Sequence, residues 1–398
     1  MIQISDECRK FFSRTPLGIG DIGWMPITEA VTERLEAAEM FLADVASNFH
    51  FGRHLDLSPT IRNAIQAARE YMTSGIPSFQ RRIWFAAIDL VCDSHGQFWF
   101  VDDHYCCPMG LHQMYQLTSG SDQRISDASR RFREFLNAGR GSLRSIVGED
   151  SVAVVLGSET FNTTYRDNFF FADFLGLPYV SQGELEMRPT GLMQVSHGHE
   201  SRIGVVIRRL QDDDLDPNCF RPDSLQGVAG LVKGARSGKV NVLNAPGTGL
   251  FNSRAITRLI PEMISFYLGK EPLLPTIPTL DCSNAETMDL VRNAPRNYLL
   301  RTCNSMDPLE PLVGPTATRQ ERESYLSRIR EKPGNFVARQ TLASCEESGF
   351  DAVPVFGIRT FSVGTTPRHV LQGGLLRDCH PDGTPVDPIY NDDSLVPL

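Results

Sequence analysis

From Thr28 to Ser47 the apolar residues Val31, Leu35, Ala38, Phe41, Leu42 and Val45 recur at helical spacing, which predicts one buried helix face. A second helix is predicted from about Pro59 to Met72. Beyond Gly75 and Pro77 the pattern changes. RIWFAAIDLVCD and QFWFVDDHY are apolar and β-rich, and the turn DSHG joins them into a hairpin. A polar helix is predicted at about Asp127–Ala138, followed by the strand SVAVVLG, a helix at Arg166–Leu175, the short strand PYVS and the strand RIGVVIRRL. DSLQGVAGLVKGARSGKVNVLNAPGTG reads as helix, turn, strand and Gly-rich loop. Further helices fall at Arg254–Leu268 and Thr318–Arg330, with strands at NYLLRT, NFVARQ, VFGIRTFSV and HVLQGGLL. The tail from Asp378, rich in Pro and Asp, reads as loop. Strands alternating with helices in the middle, and antiparallel pieces at both ends, predict an α/β protein with a partly parallel sheet.

Composition narrows the partners. The 398 residues suffice for two or three packed lobes. A net charge of −9 argues against nonspecific binding to nucleic acid or to an anionic membrane, since neither gains from an acidic surface. A small anion needs only a local cluster of arginines. No apolar run reaches the roughly 20 residues of a membrane helix. The start MIQISDECRKFF mixes acids and bases where a secretion signal would be apolar, and nine scattered cysteines fit reduced thiols, so the expected location is the cytoplasm.

Four clusters offer chemistry. Asp89 lies on one hairpin strand and Asp102, Asp103 and His104 on the other. Strand alternation puts Asp102 and His104 on one face, where Asp89 can meet them and a divalent cation can bind. An Asp-rich strand end facing water is the alternative. HYCCPMGLH has ligand-type side chains, but vicinal cysteines without CxxC spacing make a poor zinc signature. Arg208 and Arg209, with Arg221 and Asp223 close behind, can anchor a carboxylate or phosphate. Internal pairing with Asp212, Asp213, Asp214 and Asp216 is the competing reading. NAPGTG, Asn244–Gly249, has the form of a phosphate-cradling turn through Gly247 and Gly249, and equally of a simple helix start.

Together the strings IDLVCDSHGQFWFVDDHYCCPMG, RRLQDDDLDPNCFRPDSLQGVAGL, NAPGTGLFNSRAITRLIPEMISFYLGKEPLLP, LVGPTATRQERESYLSRIR and HVLQGGLLRD resemble the circularly permuted ATP-grasp family of type 2, from about Thr28 to Cys379. The resemblance implies ATP and Mg²⁺ held between two α+β lobes, beside a Rossmann-like substrate domain. It divides the chain into a helical segment at 1–80, permuted metal-site strands at 81–145, a Rossmann-like part at 146–250 and a nucleotide-side lobe with tail at 251–398. The implied chemistry is ATP-dependent ligation of a carboxylate to an amine through an acyl phosphate. Asp89, Asp102 and His104 would take the metal. Arg254, Arg301, Gly247 and Gly249 would take the phosphates, and Arg208, Arg209, Arg221 and Asp223 an acidic substrate, with Arg208, Arg209 and Arg301 nearest the chemistry.

The departures from that pattern form a set. The family's Glu-Asp-Asn strand end is Asp102-Asp103-His104 here, and a family arginine falls at Cys106. Two nucleotide lysines fall at Arg254 and Arg301, which keep the charge on a broader, planar group. The family's Gly-rich flap is replaced by TCNSMDPLEP, Thr302–Pro311, with two prolines and two acids. Two readings follow: a divergent ligase whose ATP chemistry is impaired, or a non-catalytic relative that binds a protein partner or a small anionic ligand.

Overall fold

A computed structural model describes residues 24–72, 82–117, 123–148, 151–158, 164–196, 199–342, 354–377 and 396–397. Gly75 and Pro77, beyond which the pattern changes, and most of the tail beyond Asp378 lie outside the described residues.

Three sheets carry the fold. In a six-stranded antiparallel sheet, Phe85–Asp93 lies between Phe98–His104 and Pro354–Val363. The latter also pairs with His369–Val370 and with Leu375–Arg377, which continues to Val396–Pro397. The hairpin therefore gains its other strands from the opposite end of the chain. A second six-stranded sheet is mixed. Tyr179–Val180, Val152–Leu156, His199–Arg208 and Asn241–Leu243 run parallel, and Gly191–Ser196 and Leu185–Arg188 complete it antiparallel. Its parallel strands are apolar on both faces, as covered strands must be: Val154, Val155, Leu156, Val205 and Val206 are all buried. The third sheet has four antiparallel strands, ordered Leu312–Val313, Tyr298–Thr302, Phe336–Gln340 and Thr279–Asp281.

The N-terminal helix runs Trp24–Val45 and buries Val31, Leu35, Ala38, Phe41, Leu42 and Val45. These pack with Ala86, Ile88, Leu90 and Cys92 from one face of the hairpin sheet. At about 1.5–3 kcal/mol for each large side chain fully buried, this contact outweighs any helix cap, worth about 1 kcal/mol. Phe85–Asp93 is buried along its whole length, so its odd-numbered face is covered too. Phe85 and Ala87 join a cluster with Phe171, Val205 and Phe361. Val91 joins Trp99, Val101, Ile277 and Leu342. Asp89 sits between these two apolar clusters on that face.

Some elements depart from the sequence reading. The helix expected at Arg254–Leu268 is two, Arg254–Thr257 and Ile260–Leu268, with Pro261 near the start of the second. The polar helix is longer than expected, Gln123–Arg144. HVLQGGLL forms two short strands interrupted at its glycines, and a Cβ on Gly374 would stand 2.5 Å from the Arg359 carbonyl oxygen.

Candidate functional site

Asp89 is opposite Asp102 in the hairpin and Ala87 is opposite His104. The register shifts between Asp89 and Leu90, so Val101 is an extra residue on the second strand. The bulge has a direct effect on side-chain direction. Phe100 packs toward the N-terminal helix, yet Val101 and Asp102 both turn away from it. Asp102 and His104 thereby share a face with Asp89, as alternation predicted, and His104 Nε2 lies 3.0 Å from Asp89 Oδ2.

The surrounding cations come from strands and a helix distant in sequence. Arg359, opposite Asp89 on the third strand of the sheet, donates from Nε to Oδ1 and from Nη2 to Oδ2, both at 2.7 Å. Asp102 reaches across to the four-stranded sheet. There Arg339 Nη2 donates to its Oδ1 at 2.7 Å and Arg301 Nη1 to its Oδ2 at 3.3 Å. Arg254 Nε, at the start of its short helix, stands 3.7 Å from Oδ1. Three guanidiniums on one carboxylate leave two positive charges in excess. Burial alone would raise the Asp102 carboxyl, but attraction from Arg339, Arg301 and Arg254 overcomes it and holds the group far below the usual range. Arg254 is pulled down to about 9, first by burial and then by repulsion from Arg301. Its Nε, and Nε and Nη1 of Arg339, are buried without a hydrogen-bond partner.

The metal expected at Asp89, Asp102 and His104 does not fit this arrangement. Both Asp89 oxygens accept from Arg359, and both Asp102 oxygens accept from arginines. Among the described residues, no group of three or more His, Cys, Asp or Glu side chains could hold a metal ion. Asp103 points the other way, where Arg34 of the N-terminal helix holds it with two bonds of 2.7 Å and Tyr105 Oη donates to it at 2.6 Å. The Cys107 thiol donates to the Leu210 carbonyl.

Arg208 and Arg209 are internal. Arg208 donates to the carbonyls of Asn244, Leu210 and Ala245 and to Thr248 Oγ1, and its Nη1 is 2.6 Å from Asp212 Oδ1. Every nitrogen of that guanidinium is engaged, which corrects its expected role as an anion anchor. Arg209 pairs with Asp167 at 3.0 Å, and its Nε donates to Asn168 Oδ1 at 2.7 Å. Arg221 is exposed and pairs with Asp214 and Asp223, so it does not join the two buried arginines. The Gly-rich turn already holds an anion. The backbone N–H groups of Gly247 and Gly249 both donate to Asp212 Oδ2, at 3.1 and 3.0 Å. Gly247 has φ +104, and a Cβ on Gly249 would lie 2.4 Å from that same oxygen. The expected phosphate donors are therefore occupied by a side chain of the protein.

The segment after Arg301 commits backbone donors to local turns and to one bond with Asn252. Ser305 N–H donates to Asn252 O, Met306 N–H to Asn304 Oδ1, Asp307 N–H to Asn304 O and Leu309 N–H to Asp307 Oδ1. Pro308 and Pro311 have no N–H to offer.

Sequence reasoning missed Arg339, Arg359, Arg34 and Asn244. The first two had a signal: an arginine within an apolar strand, FVARQ or GIRTF, calls for a carboxylate close to it, on a neighbouring strand or on another sheet. Arg34 stands on the apolar face of its helix beside Val31, Leu35 and Ala38. Asn244, singled out only as the first residue of NAPGTG, bonds the backbone of Trp84, Phe85 and Tyr105, tying the mixed sheet to the hairpin sheet.

The description "circularly permuted ATP-grasp type 2" belongs to a family model that matches residues 16–378. Among similar proteins, the "uncharacterized protein sll0335" of Synechocystis sp. is 29% identical over 351 residues, covering 82% of this chain and 70% of the relative. The "uncharacterized protein Rv2411c" of Mycobacterium tuberculosis is 26% identical over 376 residues, covering 91% and 68%. The "uncharacterized protein Rv2567" of the same organism is 31% identical over 235 residues, covering 58% of this chain and 26% of the relative. No helix among the described residues is long and apolar enough to cross a membrane. With nearly its whole length matched, this protein belongs to the circularly permuted ATP-grasp type 2 family.

Proposed function

We propose that this protein binds the phosphates of ATP beside Asp102, as a divergent relative of ATP-dependent carboxylate–amine ligases. The observation that supports this reading is the convergence of Arg254, Arg301 and Arg339 on the single carboxylate of Asp102. The excess positive charge is largely shielded from water, where a pair of opposite charges about 4 Å apart gains about 4 kcal/mol rather than the ~1 kcal/mol of bulk water. A polyphosphate is the ligand class that returns most from it. In the family's chemistry a substrate carboxylate oxygen attacks the terminal phosphorus, the bond to the ADP oxygen breaks, and an amine then displaces phosphate from the acyl phosphate. Arg254, Arg301 and Arg339 would neutralise the transferring group. The mixed sheet would be the Rossmann-like substrate side for a small carboxylate, with Arg208 and Arg209 shaping its walls through their internal bonds.

Calorimetry with a non-hydrolysable ATP analogue tests the reading. Arg254→Ala and Arg301→Ala are each expected to weaken binding about tenfold or more, a loss of about 1.4 kcal/mol. Wild-type affinity in both variants would refute it. A second reading, a non-catalytic protein that binds a small anion or a protein partner, is favoured by the committed N–H groups of Ser305, Met306, Asp307 and Leu309. Analogue binding without any ADP formed from ATP, across a panel of carboxylates and amines, would select it.

A further inference from the structure

We propose that the Arg359 guanidinium is the resident cation of this site, standing at Asp89 and His104 where the family uses a divalent metal. Geometry supplies the first argument. A planar fork matches a carboxylate along two parallel bonds, and Arg359 makes both to Asp89 at 2.7 Å. Arg359 Nη2 also lies 2.9 Å from His104 Nε2, so the ring nitrogen facing Asp89 is engaged in either tautomer. The oxygen lone pairs and the imidazole nitrogen that a metal would need are directed at one guanidinium.

The position of Arg359 is built into the sheet rather than adopted by a swinging side chain. Asp89 and Arg359 are direct cross-strand partners. Arg359 Nη1 donates to the Met109 carbonyl, and its stem passes Gly110, where a Cβ would lie 3.6 Å from Arg359 Cδ. The residue is 4% exposed. Charge gives an independent argument. Arg254, Arg301, Arg339 and Arg359 face two carboxylates, Asp89 and Asp102, which already leaves two positive charges in excess. A dication placed among them would be repelled by all four arginines. An anionic ligand, which rests on the nucleotide reading above, is attracted by the same set without a metal.

The test uses the full-length protein and Mn²⁺, followed by the EPR signal of the free ion. The wild type is expected to take up no stoichiometric Mn²⁺. Arg359→Met releases both Asp89 oxygens and is expected to gain measurable Mn²⁺ uptake, weakened by the three remaining arginines and lost again when Asp89→Asn is added. Should Arg359→Met fail to fold, the wild type and Asp89→Asn alone decide the matter. One equivalent bound by wild type and lost in Asp89→Asn overturns the proposal. A folded Arg359→Met that binds no Mn²⁺ also overturns it, because the donors would then not be a metal set at all. As a second readout, affinity for the ATP analogue is expected to differ less than about threefold between Mg²⁺ and EDTA. Binding that disappears in EDTA counts against the proposal. If the analogue binds in neither condition, the nucleotide reading fails by itself and the Mn²⁺ titration still decides this one.

Discussion

Arg359 and Asp89 occupy directly opposed positions on neighbouring antiparallel strands and close two hydrogen bonds of 2.7 Å. Both side chains are nearly inaccessible, so removal of either one leaves the other's charge buried without its main ion partner. Arg359→Ala is expected to lower stability by about 3–5 kcal/mol, while the double change to Arg359→Met with Asp89→Leu recovers most of it. Urea unfolding of the three proteins checks this. A single-variant loss below about 1 kcal/mol would mean that the pair is well solvated.

Asp102 makes acid stability a readout of the arginine cluster. Its folded carboxyl is held well below the unfolded value of about 3.9, against burial, by Arg339, Arg301 and Arg254. The folded state therefore binds that proton less readily than the unfolded chain. The contribution is present above about pH 4 and is lost as pH falls below it, toward the folded value. Asp102→Asn is expected to flatten the acid limb of a stability profile taken from about pH 3 to 7, and to cost about 3 kcal/mol at neutral pH. Parallel profiles for the two proteins would contradict the assignment.

Gly249 is required by the Asp212 carboxylate. A Cβ there would lie 2.4 Å from Asp212 Oδ2, which also holds the Gly247 and Gly249 N–H groups. Gly249→Ala is expected to destabilise by about 1–3 kcal/mol. Adding Asp212→Asn should relieve little, since Arg208 then loses its ion partner. Thermal melting of the single and double variants measures it, and a Gly249→Ala protein that melts like wild type would show that the turn yields easily.

Arg209 separates a binding role from a supporting one. Its partner Asp167 also accepts from the N–H groups of Gly110 and His112, at the start of the helix Leu111–Leu117. Arg209→Ala is expected to lower stability by about 3–5 kcal/mol and to leave affinity for the ATP analogue unchanged. A stable variant with weakened binding would return Arg209 to the ligand.

Local chemistry alone determined much of the fold. The apolar spacing of Val31, Leu35, Ala38 and Val45 marked the N-terminal helix, because a helix face repeats every three or four residues wherever it packs. The DSHG turn and its apolar flanks marked the hairpin, and alternation placed Asp89, Asp102 and His104 on one face of it. Only the tertiary structure decided what that face does. The bulge at Val101 set the direction of Asp102, and the cations that meet it arrive from Arg254, Arg301 and Arg339, more than a hundred residues away. Arg359, on a strand from the far end of the chain, took the position beside Asp89 that sequence reasoning gave to a metal. Periodicity is a property of neighbouring residues and survives in the sequence. Charge pairing in a low-dielectric interior depends on which distant strands are adjacent, and that adjacency exists only once the sheets have packed.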